Sequence, residues 1–170
     1  MSRTTRFTTA ACALLLMSAA TTAVEARELQ STVQLGAGIR NMSRTTIPGD
    51  RARLAFIAEG AGKLTFDARS EPIYVNCDGV DVVDAKNTVV DGTAFCEFKT
   101  QNAGSLFVRF QKIFDDKGVW HQTGTFTITG GTGEMSKLGG AFDVKVEVSP
   151  PQTGGKLVFG VAGAGRLSEK

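Results

Sequence analysis

Four runs of side chains alternate with a period of two residues: Leu54, Phe56 and Ala58; Leu106, Val108 and Phe110; Trp120, Gln122, Gly124, Phe126 and Ile128; and Phe142, Val144, Val146 and Val148. In the last run Asp143, Lys145 and Glu147 occupy the intervening positions. A period of two is the repeat of a β-strand, so these runs predict strands with one buried face and one wetted face, as in antiparallel sheets. Helices with a 3.6-residue apolar repeat are scarce, and the 20 glycines argue further against them.

The connections agree. Asp115-Asp116-Lys117-Gly118 separates two alternating runs and predicts a tight hairpin, which makes those strands antiparallel neighbours. Pro48-Gly49-Asp50 divides a first strand around Ser31 to Ala37 from the Leu54 run. Pro72 is expected to interrupt the segment between Leu64 and Cys77, and Pro150-Pro151 to end the Phe142 strand before a last one from Leu157 to Leu167. That last strand is apolar or small on both faces, and Gly160, Gly163 and Gly165 suit close approach of neighbouring side chains. They are not a dinucleotide fingerprint, because no room remains for the helix that must follow. The fold class expected is all-β, a closed antiparallel barrel of about eight strands, since closure removes the exposed edges of so apolar a sheet.

Residues 1–26 read as a cleavable signal peptide. Arg3 and Arg6 supply positive charge, Ala10 to Ala20 is apolar, and Val24-Glu25-Ala26 ends on a small residue. The apolar stretch falls short of the roughly 20 residues a membrane-spanning helix needs, so no membrane span is expected. Cys12 precedes the Leu14-Leu15-Leu16 run, on the wrong side for a lipid anchor. Residues 27–170 then form a single β-barrel domain, secreted or periplasmic. Arg3 and Arg6 leave with the signal segment out of 19 basic residues, and Glu25 out of 17 acidic ones, so the remaining balance is +1. Interspersed charge of that size argues against a nucleic-acid partner, which needs clustered basic charge.

Cys77 and Cys96 are the cysteines left in the mature chain, and export predicts a disulfide between them. A rival reading makes them metal ligands with His121, the single histidine, yet a fourth ligand at regular spacing is missing, so neither metal nor cofactor is expected.

The passage from Thr125 to Phe142, Thr-Phe-Thr-Ile-Thr-Gly-Gly-Thr-Gly-Glu-Met-Ser-Lys-Leu-Gly-Gly-Ala-Phe, reads as a strand, a glycine-rich corner, one helical turn and a second strand. It resembles the same corner in the allene oxide cyclase and dirigent barrels, where an Ile-Thr-Gly-Gly-Thr-Gly type sequence ends a strand. That resemblance implies a calycin-type barrel of eight antiparallel strands, commonly a dimer or trimer. It also implies a lumen that holds a hydrophobic small molecule in the enzymatic members. The functional acids of those families find no matching residue here, so no catalytic residue is carried over.

Three sets of polar residues invite chemistry. His121 could serve as a general base oriented by Glu97 or Asp143, but its phase is that of Thr123, Thr125 and Thr127, outside the barrel if the apolar face is the lumen. Glu97 and Arg109 on successive strands could pair across the outer face. Asp78, Asp81 and Asp84 lack the alternating spacing of a calcium loop and are expected on an acidic surface strand or loop. Asn41-Met42-Ser43 fits the N-glycosylation pattern. No Gly-x-Ser-x-Gly turn, His-Glu-x-x-His helix or phosphate loop is present.

The function expected is binding of an apolar small molecule or a protein partner, with Phe56, Phe110, Trp120, Phe126, Phe142 and Phe159 lining the core or cavity. The alternatives are a cyclase or isomerase that folds a hydrophobic substrate inside the barrel, as the resemblance would suggest, and a structural or assembly subunit.

Overall fold

The computed structural model describes residues 26–113, 121–149 and 157–169. The signal segment up to Glu25, the Asp115-Asp116-Lys117-Gly118 hairpin, Trp120 and Pro150-Pro151 lie outside the described residues. Eight strands follow in order: β1 Arg27–Ile47, β2 Arg51–Phe66, β3 Arg69–Val83, β4 Val89–Thr100, β5 Ser105–Ile113, β6 His121–Gly131, β7 Leu138–Ser149 and β8 Val158–Glu169. Each pairs antiparallel with the next, and β8 returns to β1 from Arg27↔Glu169 to Gly38↔Val158, closing the barrel. This is the architecture that both the alternation and the resemblance imply.

Strand period decides what fills the interior. Val33, Leu64, Val75, Phe98, Leu106, Phe142 and Leu167 all take inward positions and are fully buried. One end of the barrel is stoppered. There the short 3₁₀ turn Gly133–Lys137 inserts Met135, 1% exposed, into the same core as Leu29, Phe66, Ile73 and Leu138. The corner is held by backbone bonds: Thr132 N–H donates to Ser105 O at 2.8 Å, and Met135 N–H donates to Ala103 O at 3.3 Å. Buried Thr100 is satisfied in the same place, donating to Gly104 O and accepting from Ala103 N–H. Gly133, at φ +57°, supplies the left-handed residue that starts the turn.

Two strand boundaries depart from expectation. β1 runs on from Ala37 to Ile47 because its distal half pairs with β2 alone, through a bulge between Ile39 and Asn41. That stretch is exposed on nearly all its side chains and carries no alternation, so backbone pairing, not burial, makes it a strand. Pro72 does not interrupt β3. It pairs with Lys63 of β2 one residue before the ladder to β4 begins at Ile73↔Thr100, where a missing donor is tolerated. The expected Pro48-Gly49-Asp50 turn is present, with Gly49 at φ +83° and Asp50 at φ +52°.

Cys77 and Cys96 stand directly opposite on β3 and β4 and form a disulfide of 2.03 Å on the inward face. The rival metal reading is thereby corrected, since both sulfurs are consumed. Closing a loop of 19 residues' separation stabilises the fold by about 3 kcal/mol in the chain-entropy description. Replacing both cysteines with alanine is therefore expected to lower the unfolding free energy by about 3 kcal/mol while leaving the far-ultraviolet β-spectrum intact. Urea titration followed by circular dichroism measures it, and an unchanged midpoint would show that the crosslink contributes nothing.

Candidate functional site

Among the described residues, nothing closes the end of the barrel opposite Met135. A cavity of about 540 Å³ occupies it, walled by inward side chains that include Leu54, Phe56, Val83, Ala94, Phe110, Val146, Val148 and Phe159 and by the Cys77–Cys96 disulfide. Its floor is aromatic. Phe126 meets Phe98 edge-on with ring centroids 5.4 Å apart and leans on Phe110 at 5.3 Å, and Phe98 beneath is wholly buried. Phe56 and Phe110 leave space free because each lies flat over a glycine of a neighbouring strand. A Cβ on Gly79 would fall 2.3 Å from the Phe56 ring, and one on Gly124 would fall 2.2 Å from the Phe110 ring. Rings seated this way hug the wall instead of crossing the lumen.

Among the described residues, four polar side chains reach the cavity: Arg44 and Asn87, joined by an Arg44 Nη1 to Asn87 Oδ1 bond of 2.8 Å, and Gln122 and Asp81. Asp81 stands opposite Gly92 in the β3–β4 ladder, and a Cβ on Gly92 would fall 2.4 Å from Asp81 Oδ1. The carboxyl therefore occupies the room that the glycine leaves. On the other side of Gly92 lies the stem of Lys112, 3.7 Å from the same point. Lys112 is only 7% exposed, and its Nζ donates to Val89 O at 3.3 Å. Burial pushes the Asp81 carboxyl up to about 6, against the pull of the Lys112 ammonium and with a further push from Asp91. An acid and a lysine thus share one row of the barrel wall across a glycine.

Of the aromatic residues expected to line the lumen, Phe56, Phe110, Phe126 and Phe159 border the cavity. Phe142 is fully buried in the core and does not border it, and Trp120 lies outside the described residues. His121 is exposed on β6 opposite Glu147, so neither Glu97 nor Asp143 orients it. Asp143 instead accepts from Thr125 Oγ1 at 3.2 Å. Glu97 stands opposite Phe107 and accepts from Ser105 Oγ, while Arg109 stands opposite Phe95, which makes them diagonal neighbours instead of a direct pair. Among the described residues no three His, Cys, Asp or Glu gather as a metal site.

The acidic triplet needs correction. Asp78 is exposed, and Asp84 accepts the N–H groups of Lys86 and Thr88 at 2.9 and 2.8 Å in the β3–β4 turn. Asp81 is half-buried and lines the cavity instead of the outer surface. An odd separation along a strand reverses the face, so Asp78 and Asp81 point opposite ways. The signal was available: Asp81 shares the phase of Val75 and Cys77, and Lys112 that of Leu106, Val108 and Phe110.

No protein-family model matches this chain. No curated protein matches it either. Among solved structures it is similar to that of a pterocarpan synthase dirigent protein, with a TM-score of 0.43 and 11% identity over 98% of this chain and 100% of that one.

The folded state holds the Asp81 proton up to about pH 6, whereas an unfolded chain releases it near 3.8. Between those values the folded state binds more protons, so raising the pH favours unfolding by up to about 2 kcal/mol. The stability advantage of an Asp81→Asn variant over wild type is accordingly expected to grow by about that amount across this window. Denaturant titrations at a series of pH values measure it, and a constant difference would place Asp81 in water.

Proposed function

We propose that this chain is an exported barrel that binds an apolar small molecule in the open half of its lumen. The observation that carries the reading is the cavity of about 540 Å³, which lies within the size range of small-molecule sites and has walls that are predominantly apolar. Export is supported by the charged, apolar and small-residue zones of residues 1–26, and by the disulfide. Cleavage after Ala26 fits the fold, because β1 begins at Arg27 and nothing of the barrel would be lost. Residues 27–170 are then the single mature domain. No helix among the described residues is long and apolar enough to cross a membrane.

Turnover is the second reading, and Asp81 is the observation that favours it. A carboxyl titrating near 6 inside an apolar cavity is poised to give or take a proton on a bound molecule. An assembly role finds support in the exposed Tyr74, Phe95 and Phe107 on the outer faces of β3, β4 and β5, residues of the kind enriched where copies of a chain meet.

Two measurements test the first reading. Expressed with its own amino terminus in a secreting host, the protein is expected outside the cytoplasm with Arg27 as its first residue by terminal sequencing; retention of Met1 would refute export. The fluorescent apolar probe phenylnaphthylamine is expected to bind the mature barrel one to one. Ala94→Phe, which projects a ring into the cavity from a buried wall position, should weaken it by about tenfold or more. Equal binding by both proteins would place the probe elsewhere.

A further inference from the structure

The open half of the lumen is not uniformly greasy, and the placement of its charges narrows what it can hold. We propose that the cavity selects apolar molecules bearing one uncharged hydrogen-bond donor of the alcohol type, seated on the Asp81 carboxylate. This deepens the ligand-binding reading and rests on it.

The seat is built from three strands. Gly92 of β4 has no side chain, and the Asp81 carboxyl fills the vacated room from β3, with Oδ1 within 2.4 Å of where a Cβ would be. Asp81 is also part of the cavity lining. Lys112, from β5, lies against the far side of Gly92 and is almost wholly buried. A carboxylate is an acceptor, so the group it takes must donate. Two positive charges decide which donor. Lys112, almost wholly buried, stands beside Asp81, and the exposed Arg44 lines the same cavity, so an ammonium ligand would meet like charge at both. A carboxylate ligand at the same depth would meet Asp81 itself. A neutral hydroxyl meets neither objection, and its apolar body would contact Phe56, Phe110 and the disulfide. A hydrogen bond to a charged acceptor in such a setting corresponds to a preference of about tenfold or more over a molecule lacking the donor.

The test is displacement of bound phenylnaphthylamine from the mature barrel at pH 8 by four molecules with one alkyl chain: decanol, decyl methyl ether, decylammonium and decanoate. Decanol is expected to displace the probe at about one-tenth the concentration that each of the others requires. The ratio of ether to decanol affinity is then measured in two variants. Asp81→Val removes the acceptor, and the ratio should fall to within about twofold of unity. Gly92→Ala keeps the acid but fills its seat, and it must lower the same ratio, which covers the case in which Asp81→Val fails to fold. Decanoate or decylammonium binding as well as decanol would overturn the proposal, as would a ratio unchanged in Gly92→Ala. A barrel that binds no probe at all would overturn the ligand-binding reading itself and the selectivity with it.

Discussion

Closure of β8 onto β1 sets the terms for everything inside the barrel. Once the ladder from Arg27↔Glu169 to Gly38↔Val158 is made, the lumen has a fixed girth, and only side chains of one phase on each strand can enter it. Packing then becomes a question of volume at each height. At the stoppered end Phe66, Phe98, Phe142, Leu64, Leu106 and Met135 supply enough bulk to exclude solvent. At the other end the inward residues include Ala94, Val83 and Val146, and the rings of Phe56 and Phe110 lie down on Gly79 and Gly124. Among the described residues, the same closed sheet therefore holds a solid core in one half and a cavity in the other. The stabilising burial is concentrated where the 3₁₀ turn seals the barrel.

The disulfide belongs to both halves of this account. It crosslinks β3 to β4 at mid-height and forms part of the cavity wall, so the wall there is stiff and smooth. Beyond it, Asp81 and Lys112 share the row through Gly92. Burying an acid is costly unless opposite charge stands near, and Lys112 offsets part of that cost without removing it, which is why the carboxyl remains raised. A polar group kept inside an apolar chamber despite that cost is the feature on which the proposed ligand selectivity rests.

Much of the architecture was legible before any coordinates. The runs through Leu54, Leu106, Phe126 and Phe142 assigned inward and outward faces, and the corner from Thr125 to Phe142 has the strand, turn and strand that its glycines require. The failures have physical causes. The distal half of β1 is strand by pairing with β2 alone, and pairing leaves no mark in a stretch that is wet on both sides. Asp81 was grouped with Asp78 and Asp84 by spacing, a criterion suited to loops, when strand phase was the criterion that applied.

By itself, then, the order of residues determined the all-β class, the faces of the strands and the pairing of Cys77 with Cys96, because a two-residue period and a short list of cysteines are local facts. Only the tertiary structure decided which inward residues meet at the same height. Register is set by how eight strands slide against one another in closing the ring, and it is register that puts Gly79 beneath Phe56 and Gly92 between Asp81 and Lys112. The cavity and the placement of Asp81 in its wall are properties of those meetings, and no single strand carries them.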